Sequence, residues 1–297
     1  MSLTVTATAA DLRLTTVDAL KADLGDATAT NDSLYDSMIL RASAVIDAYC
    51  HRTFARQTYT EILPGYGNVS LRLAEAPVSE VTSVVWDGGA ITDYVLDNAT
   101  AGILYRRAGW PWTVQMDAGL GQYGAGYPPS GIPVPGSEDR VFTVIYTAGY
   151  LLPSQNVSSL TAISASQVDN SFNHSGAGFP ALLQADDVIT ASGFTTAANN
   201  GRFIVTGTPT TSKIVVSATL VTEAATTSLH SVAVSTLPGD VETACLSAAK
   251  FYYGGRKESG GIVEKSLGSA RLRFSESAGT SLPSISCALL ARYVRSA

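Results

Sequence analysis

Histidine, the side chain most often used as a general base or a zinc ligand, occurs three times in this sequence. His51, His174 and His230 lie far apart, and none stands in an HExxH frame or a similar one. A zinc site or an acid–base centre needs several such groups at close and regular spacing. We therefore predict that the histidines are surface or locally hydrogen-bonded residues, with no metal centre and no catalytic residue.

The cysteines and the glycine clusters give no stronger sign of chemistry. Cys50, Cys245 and Cys287 show no CxxC or CxxH spacing, so they predict small buried thiols on helices and neither a zinc site nor a disulfide framework. The glycine clusters GLGQYGAG (119–126) and GGRKESGG (254–261) do not follow the GxxxxGK[ST] order of a phosphate-binding loop. The sequence therefore predicts no nucleotide and no other cofactor.

The acidic pair Asp186–Asp187 could be half of a catalytic carboxylate pair or part of a calcium loop. The sequence has no second acidic cluster near it and no EF-hand register, so a turn at a strand edge is favoured. No GxSxG motif occurs among the serines. Taken with the histidines and cysteines, this predicts that the protein is not an enzyme.

Basic residues beside aromatic ones suggest DNA contact. Arg106 and Arg107 precede Trp110 and Trp112, a combination that could bind phosphates and stack on bases. The chain, however, has 19 basic and 25 acidic residues and a net charge of -6, which argues against a protein that grips nucleic acid. We favour an exposed charge pair at a strand end, beside aromatic residues that pack in a subunit contact.

A second basic position lies in the C-terminal third of the chain. Arg256 and Lys257 follow a predicted helix there and could touch DNA or an acidic partner. DNA that slides past an acidic protein remains compatible with the overall charge.

Helical periodicity marks the two ends of the chain. One helix is predicted over 14–25 with Thr15 as its N-cap, and a second begins near residue 31. A third is predicted over 238–255 and a fourth over 283–293. The predicted buried stripe of the second helix consists of Leu34, Met38, Ala42, Val45, Ile46 and Tyr49.

Between residues 53 and 105 the hydrophobic period changes to two, which predicts a β-meander. A buried strand, VIYTAGY, is predicted over 144–150, and a Gly/Pro/Tyr-rich segment over 119–140 precedes it. Segments of that length are usually functional or mobile, so we expect either a surface excursion or an arm that contacts a partner. The candidates for contact with another subunit or with a partner protein are Trp110, Trp112, Tyr123 and Tyr127.

Residues 155–235, which we call the β module, differ from their surroundings. Only six of the 81 residues are charged, and strands are predicted over 188–190, 202–206 and 213–217, with a tight turn at 199–201. Removing this stretch would bring the strand at 144–150 next to the helix at 238. We therefore predict an α+β fold: a discontinuous helical host domain with a β-meander (1–154 and 236–297), and an inserted all-β domain (155–235), sandwich or barrel-like.

The chain as a whole is typical of a globular protein with a sizeable core. It has 297 residues, of which 45% are hydrophobic. No long apolar run predicts a membrane span, and the first residues lack the pattern of a signal peptide. We expect a protein that is made and kept in a cytoplasm and does not enter a membrane.

Seven segments of the host resemble one family. LTTVDALKADLG, IDAYCHRTFARQTYTE, APVSEVTSVVWDGG, TDYVLD, GILYRRAGWPW, VFTVIYTAGY and LPGDVETACLSAAKFYYGGRK are similar to the head-to-tail connector proteins of tailed bacteriophages, also called adaptor or head-completion proteins. The resemblance follows the order and spacing of that family over nearly all of the host. The β module, by SGFTTAANNGRFIVTG and SATLVTEAA, resembles a module that recurs in phage structural proteins and departs from the usual short connector.

This resemblance implies a structural protein of the virion neck, made in the bacterial host. Such connectors form a ring, commonly of twelve copies, that sits on the portal protein and offers its far face to a stopper or tail-terminator protein. Double-stranded DNA passes through the ring without sequence-specific contact. In that family the C-terminal region commonly engages the portal, so our portal-contact candidates are Ile285, Leu289, Leu290, Arg292 and Tyr293.

Two other functions stay open at this point. A tail or baseplate structural protein would share the β module but not the helical start. A glycan-binding protein would need a concave site with exposed aromatic residues or paired carboxylates, and the sequence supplies neither clearly.

Overall fold

The structure of the chain is a computed structural model, which describes residues 2–9, 11–86, 88–111, 142–225, 229–255, 264–267, 270–273 and 282–295. It is α+β and mostly β, with four helices and several antiparallel sheets in the described parts. The chain divides into two compact units. Met1–Ala9 and Arg56–Gly149 form the sheet unit, and Ala10–Ala55 and Tyr150–Ala297 form the helical unit.

This division groups the chain differently from the predicted domains. The helices and residues 155–235 belong to one unit, whereas the strands predicted as a meander belong to the other. The predicted domain boundaries therefore stay a prediction.

The sheet unit consists of two sheets. Its strands are β1 (Ser2–Ala7), β2 (Gln57–Leu63), β3 (Ser70–Arg72), β4 (Val78–Trp86), β5 (Gly89–Ala90), β6 (Val95–Asn98), β7 (Ile103–Tyr105) and β8 (Phe142–Ala148). The larger sheet has the order β1-β2-β8-β4-β5, and the smaller one has the order β3-β7-β6. The strands predicted between residues 53 and 105 are present, but the predicted meander is wrong, because these strands are divided between two sheets and β8 lies between β2 and β4. The strand β1 was not predicted from the sequence.

One face of the larger sheet forms the core of this unit. Buried and partly exposed residues alternate along β2, so Tyr59, Glu61 and Leu63 point to the same side. Glu61 is only 1% exposed, and its Oε2 accepts hydrogen bonds from the Ala74 amide at 2.9 Å and the Tyr146 hydroxyl at 2.7 Å. Burial and the nearby Glu61 raise the pKa of Tyr146, which keeps its hydroxyl protonated as the donor.

Four helices belong to the helical unit: α1 (Val17–Leu24), α2 (Asp32–Cys50), α3 (Gly239–Gly255) and α4 (Ser284–Leu290), which continues into a 3₁₀ turn (Ala291–Tyr293). These helices confirm the four predicted from periodicity. Over the described parts of the chain, none combines the length and the apolar composition needed to cross a membrane.

The N-cap of α1 is Thr16, not the predicted Thr15. Thr16 Oγ1 accepts a hydrogen bond from the Ala19 amide at 3.1 Å, and Gly25 ends the helix at φ 69°. Thr15 is buried instead, and its hydroxyl donates to Glu242 Oε1 at 3.2 Å. Both threonines precede the apolar positions, so the sequence alone does not separate a cap from a tertiary contact.

The buried face of α2 is displaced from the predicted stripe. Leu34, Met38 and Val45 are only partly buried and Tyr49 is exposed. The side of α2 that packs against α3 places Ser43 Oγ 3.6 Å from Cys245 Sγ and the Tyr35 ring 5.2 Å from that of Tyr253. The buried residues of α2 are Tyr35, Ile39, Ala42, Ser43, Ile46 and Cys50.

The β module contains β9 (Val157–Ser159), β10 (Ile163–Ser166), β11 (Ser171–His174), β12 (Val188–Ser192), β13 (Gly201–Ile204), β14 (Lys213–Val215) and β15 (His230–Ala233). One sheet has the order β13-β12-β15-β9 and the other has the order β10-β11-β14. Both contribute to one apolar core, which includes all four phenylalanines of the module, Phe172, Phe179, Phe194 and Phe203. These four rings are therefore core residues and offer no exposed aromatic surface to a sugar.

The predicted tight turn at 199–201 is wrong. The connection between β12 and β13 runs from Gly193 to Asn200 and includes a short 3₁₀ turn. Asn200 stabilises this longer loop, because its Oδ1 accepts from the Phe194 amide at 3.0 Å and its Nδ2 donates to the Phe194 carbonyl at 2.8 Å.

The chain enters and leaves the β module at adjacent points. The Leu151 amide donates to Thr236 Oγ1 at 3.0 Å, and the Thr236 amide donates to the Leu151 carbonyl at 3.0 Å. Asn156 Oδ1 accepts from the Val234 amide at 2.8 Å. A further hairpin consists of β16 (Glu264–Leu267) and β17 (Ala270–Arg273).

Candidate functional site

None of the three histidines lies in a catalytic or metal-binding arrangement. His51 is exposed and forms the C-cap of α2 at φ 51°. His174 closes a local loop, since its Nδ1 accepts hydrogen bonds from the Gly176 amide at 3.0 Å and the Gly178 amide at 3.2 Å. Within the described ranges, no group of three or more His, Cys, Asp and Glu side chains could hold a metal ion.

His230 and Glu223 form a buried polar contact in the β module. His230 is fully buried, its Nδ1 lies 2.8 Å from the Ile163 carbonyl oxygen, and its ring stacks on Phe194 at 4.2 Å between centroids. Its Nε2 lies 3.6 Å from Glu223 Oε1. Because the imidazole is closed off from solvent, this contact stabilises the module and offers no site to a substrate.

The Glu223 carboxylate is held by backbone donors. The amides of Thr195 and Thr196 donate to it at 2.7 and 3.0 Å, and Asn199 Nδ2 donates at 3.1 Å. Burial opposes the charge, but these hydrogen bonds outweigh it and lower the pKa of Glu223 to about 2. Glu223 therefore ties the loop after β12 to the segment before β15.

Two thiols are inert because they are buried. Desolvation raises the pKa of Cys50 to about 11 and that of Cys245 to about 12, so both stay protonated at neutral pH. Cys287, on α4, is only partly buried. All three cysteines lie on helices, as the sequence predicted, and all are free.

The C-terminal portal-contact candidates divide into buried and exposed residues. Leu290 is fully buried, so it offers no surface to another protein in this structure. Ile285 is 59% exposed and Leu289 is partly exposed. Beside Leu290, the Ser286 hydroxyl donates to the Ala244 carbonyl at 3.0 Å and fixes α4 on α3.

Arg292 and Tyr293 are held within the helical unit by Asp240. The Tyr293 hydroxyl donates to Asp240 Oδ1 at 2.8 Å, and Arg292 forms an ion pair with the same carboxylate. The Tyr293 ring meets Phe54 edge-on at 5.8 Å. Arg292 is nevertheless exposed, so part of its guanidinium faces solvent.

Trp110 lies in the core of the sheet unit. It is 1% exposed, its Nε1 donates to the Val69 carbonyl at 3.2 Å, and its ring meets Phe142 edge-on at 5.3 Å. Trp110 therefore has almost no exposed surface in this chain, and the predicted contact with another subunit or the tail stays a prediction. The sequence alone does not show which side a tryptophan near a strand end faces. Trp112, Tyr123 and Tyr127 lie outside the described residues.

Arg106 is also engaged within the sheet unit. Its Nε donates to Asp93 Oδ1 at 2.8 Å and its Nη1 donates to the Gly109 carbonyl at 3.0 Å. The hydrogen bond from Arg106 lowers the pKa of Asp93. Arg107 is exposed and is the residue of the pair better placed for an external partner. Arg256 and Lys257 lie outside the described residues.

The edges of the larger sheet are the surface features that sequence reasoning missed. All six residues of β1 are exposed, including Leu3 at 40% and Val5 at 46%. At the other edge a cavity of about 340 Å³ is lined by Thr82, Ser83, Val84, Ala90, Ile91, Thr92 and Tyr94. The alternation of apolar residues with threonine in SLTVTA could have predicted β1.

Comparisons with known proteins identify no family. No family model matches the chain, and no curated protein matches it. Among solved structures, the chain is similar to one in the neck of an empty GTA particle computed with C6 symmetry, at 15% identity and a TM-score of 0.46, over 100% of this chain and 97% of the other. It is also similar to one in the neck of a native GTA particle computed with C12 symmetry, at 14% identity and a TM-score of 0.41, with the same coverage.

A third likeness is to a chain in the virion of a native gene transfer agent (GTA) particle, at 19% identity and a TM-score of 0.33. It spans 52% of this chain and 77% of the other. Likenesses of this size do not establish a shared fold or a shared function.

Proposed function

We propose that the chain is a structural protein of the neck of a tailed-phage-like particle. Copies of it form a ring, of twelve chains in the arrangement that the resemblance implies, at the portal vertex. The ring joins the DNA-filled head to the tail and lets double-stranded DNA pass. The portal protein is its partner on one face and a stopper or tail-terminator protein on the other, and no catalytic step is involved.

The observation that supports this function most directly is how the connector-like segments coincide with folded elements. LTTVDALKADLG contains the whole of α1, and IDAYC ends α2. VFTVIYTAGY contains β8, and LPGDVETACLSAAKFYYGG contains α3. A resemblance spread over short motifs gains weight when each motif is a structural element or its end.

The charges suit a protein that DNA passes without being held. Duplex DNA carries about one negative charge per 1.7 Å of its axis, so a strongly basic bore would slow its passage. The chain has a net charge of -6, and Arg106 is committed to Asp93. We therefore expect the residues that face the bore to be mostly polar or acidic.

Contact with the portal is assigned to the exposed part of the C-terminal segment. Ile285 and the partly exposed Leu289 offer apolar surface, and Arg292 offers a charge. A modest contact repeated around a ring gives a stable assembly, because the copies bind together.

Imaging and assembly experiments test this function. The purified full-length chain, viewed by electron microscopy, should form closed rings, alone or on purified portal protein. Particles assembled without the protein should contain DNA-filled heads that carry no tail, and adding the purified chain should restore joining. A chain that is monomeric with and without the portal protein, or tailed particles formed in its absence, would contradict the proposal.

A further inference from the structure

The outer edge of β1 has the properties of a strand that pairs with another chain. Within the described residues β1 pairs only with β2, so its second row of backbone donors and acceptors faces outward. Edge strands of natural proteins are usually protected by charged residues or proline, and SLTVTA has neither. Its one irregularity lies between Val5 and Ala7, which leaves Ser2–Val5 regular.

The opposite edge of the same sheet is only partly covered. β5 pairs with β4 at Val85 and Trp86, and the Ile91 amide bonds to the Val84 carbonyl. In the described parts of the chain no strand lies beside Val81–Ser83 on that edge. The register of β4 against β8 shifts between Val81 and Ser83, so this open stretch contains a β-bulge and can pair with only a short segment of an added strand. The cavity of about 340 Å³ opens at this position, with Val84, Ile91 and Tyr94 among its apolar lining.

The two edges of the larger sheet carry uncharged side chains, and apolar ones lie on the same face at both edges. Leu3 lies opposite Glu61, Glu61 opposite Val144, and Val144 opposite Val84, so one row of side chains crosses the sheet from edge to edge. A parallel row runs from Val5 through Tyr59 and Tyr146 to Val81. Neither Ser2–Ala7 nor Val81–Trp86 contains a charged residue.

The strand directions also match. Each neighbouring pair in the series β1, β2, β8, β4 is antiparallel, so β4 runs opposite to β1. If a second copy in the same orientation continues the sheet, its β1 is antiparallel to β4 of the first copy. A contact between two different edges of identical chains is heterologous, which is the kind of contact that closes rings.

From these observations we infer that β1 of one copy adds as an antiparallel strand to β4 of the next copy, beside Val81–Ser83. Leu3 and Val5 then extend the apolar face across the boundary and cover the cavity at Val84. Main-chain hydrogen bonds supply the pairing, and the side-chain match selects a second copy of this chain. The choice of a second copy as the partner rests on the proposed ring.

Cysteine cross-linking tests this contact. Two variants, Thr4→Cys on β1 and Ser83→Cys on β4, are made in a Cys287→Ser background so that the partly exposed native thiol does not react. Thr4 and Ser83 belong to one row of the sheet, which runs through Thr60 and Ile145. A mixture of the two variants under mild oxidation should give a covalent dimer, and neither variant alone should. The double variant should give a ladder of covalent oligomers. Thr4→Cys mixed with Thr208→Cys, an exposed position in the β module, is the matched control.

Three results would overturn the inference. A covalent dimer from Thr4→Cys alone would show that β1 pairs with β1 of another copy. No cross-link in the mixture would show that these edges do not meet. Equal cross-linking in the Thr208→Cys control would show that the reaction is unspecific. If rings form but the cross-link does not, the inferred contact is wrong and the proposed function is unaffected. If the chain never forms rings, both are wrong.

A charge on β1 gives a second measurement that does not depend on thiol geometry. Val5→Lys places a charge in the apolar row. The protein concentration below which rings dissociate should rise by about tenfold or more. Val168→Lys, at a position that is 96% exposed in the β module, should leave that concentration unchanged. Circular dichroism of both variants checks that the fold is kept. Equal behaviour of the two lysine variants would contradict the inference.

Discussion

At the scale of single residues, the contacts of the β module depend on pairs that are distant in sequence. Glu223 meets the Thr195 and Thr196 amides because the segment that carries it pairs with Ala165 of β10, beside the loop between β12 and β13. The sequence shows Glu223 only as one of few charged residues in this stretch. Its role was therefore not predictable from spacing, since the strand order that creates it was not known.

Glu223 should make the stability of the β module depend on pH. Its pKa is lowered from 4.5 to about 2 in the folded protein, so its contribution is complete above about pH 4.5 and is lost as the pH falls through 2. In Glu223→Gln one carboxylate oxygen becomes an NH₂ group that faces a donor. We expect this variant to be about 1–3 kcal/mol less stable at pH 6, and the difference should shrink between pH 5 and pH 2.

Thermal or urea unfolding of both proteins across this pH range measures the effect. The other carboxylates titrate in both proteins, so only their difference reports Glu223. Asp186→Asn is the control, because Asp186 is exposed at φ 68°, a conformation that asparagine tolerates. A constant difference between wild type and Glu223→Gln down to pH 2 would rule out this role for the carboxylate.

At the scale of elements, the ends of the helices could be predicted from local sequence signals, but the buried faces of the helices could not. Pro238 and Gly254–Gly255 mark the ends of α3, and the predicted helix agrees with the observed Gly239–Gly255. The buried face of α2 was predicted about one residue away, because Leu34, Met38 and Val45 are apolar beside the true face. The position of α3 decides which of the two apolar faces of α2 is buried. The residue pattern of α2 alone does not predict that position.

The strand β1 was missed for a related reason. SLTVTA is short, has no turn residue beside it and pairs with β2, more than fifty residues further along the chain. A strand of a hairpin is recognised by the turn that joins it to its neighbour, as at β4 and β5. A strand joined to its partner by two helices has no such signal.

Two residues on helix α4 should respond differently to substitution, because one stabilises the fold and the other is available for contact with the portal protein. Leu290 is fully buried, whereas Ile285 is 59% exposed on the same helix. Leu290→Ala should lower the free energy of unfolding by about 2–3 kcal/mol through the cavity that it leaves. Ile285→Ala should change it by less than about 0.5 kcal/mol but should weaken binding to the portal protein.

Chemical denaturation and a portal-binding assay on the same preparations separate these effects. Leu289→Ala, at a partly exposed position, should fall between the two in both measurements. If Ile285→Ala binds the portal protein as well as wild type does, the exposed face of α4 is not the contact.

At the scale of the whole molecule, the sequence predicted an insertion from composition, and in the structure the two ends of the β module lie next to each other. Leu151 and Thr236 are joined by two hydrogen bonds, and Asn156 binds the amide of Val234. The apolar core of the β module draws its residues from 151 to 234. A stretch with its own core and with ends held together can leave a chain without opening the elements on either side.

Excision of the β module is therefore expected to leave two folded proteins. A variant in which a short Gly-Ser linker replaces residues 156–235 should keep the helical signal in circular dichroism and should still form rings, because neither β1 nor β4 is removed. The separate stretch 151–236 keeps Leu151 in its core and should unfold cooperatively, with dispersed amide signals in NMR spectra. If the shortened host loses its helices while the separate module folds, the host depends on the module, and the predicted discontinuous domain of residues 1–154 and 236–297 is wrong.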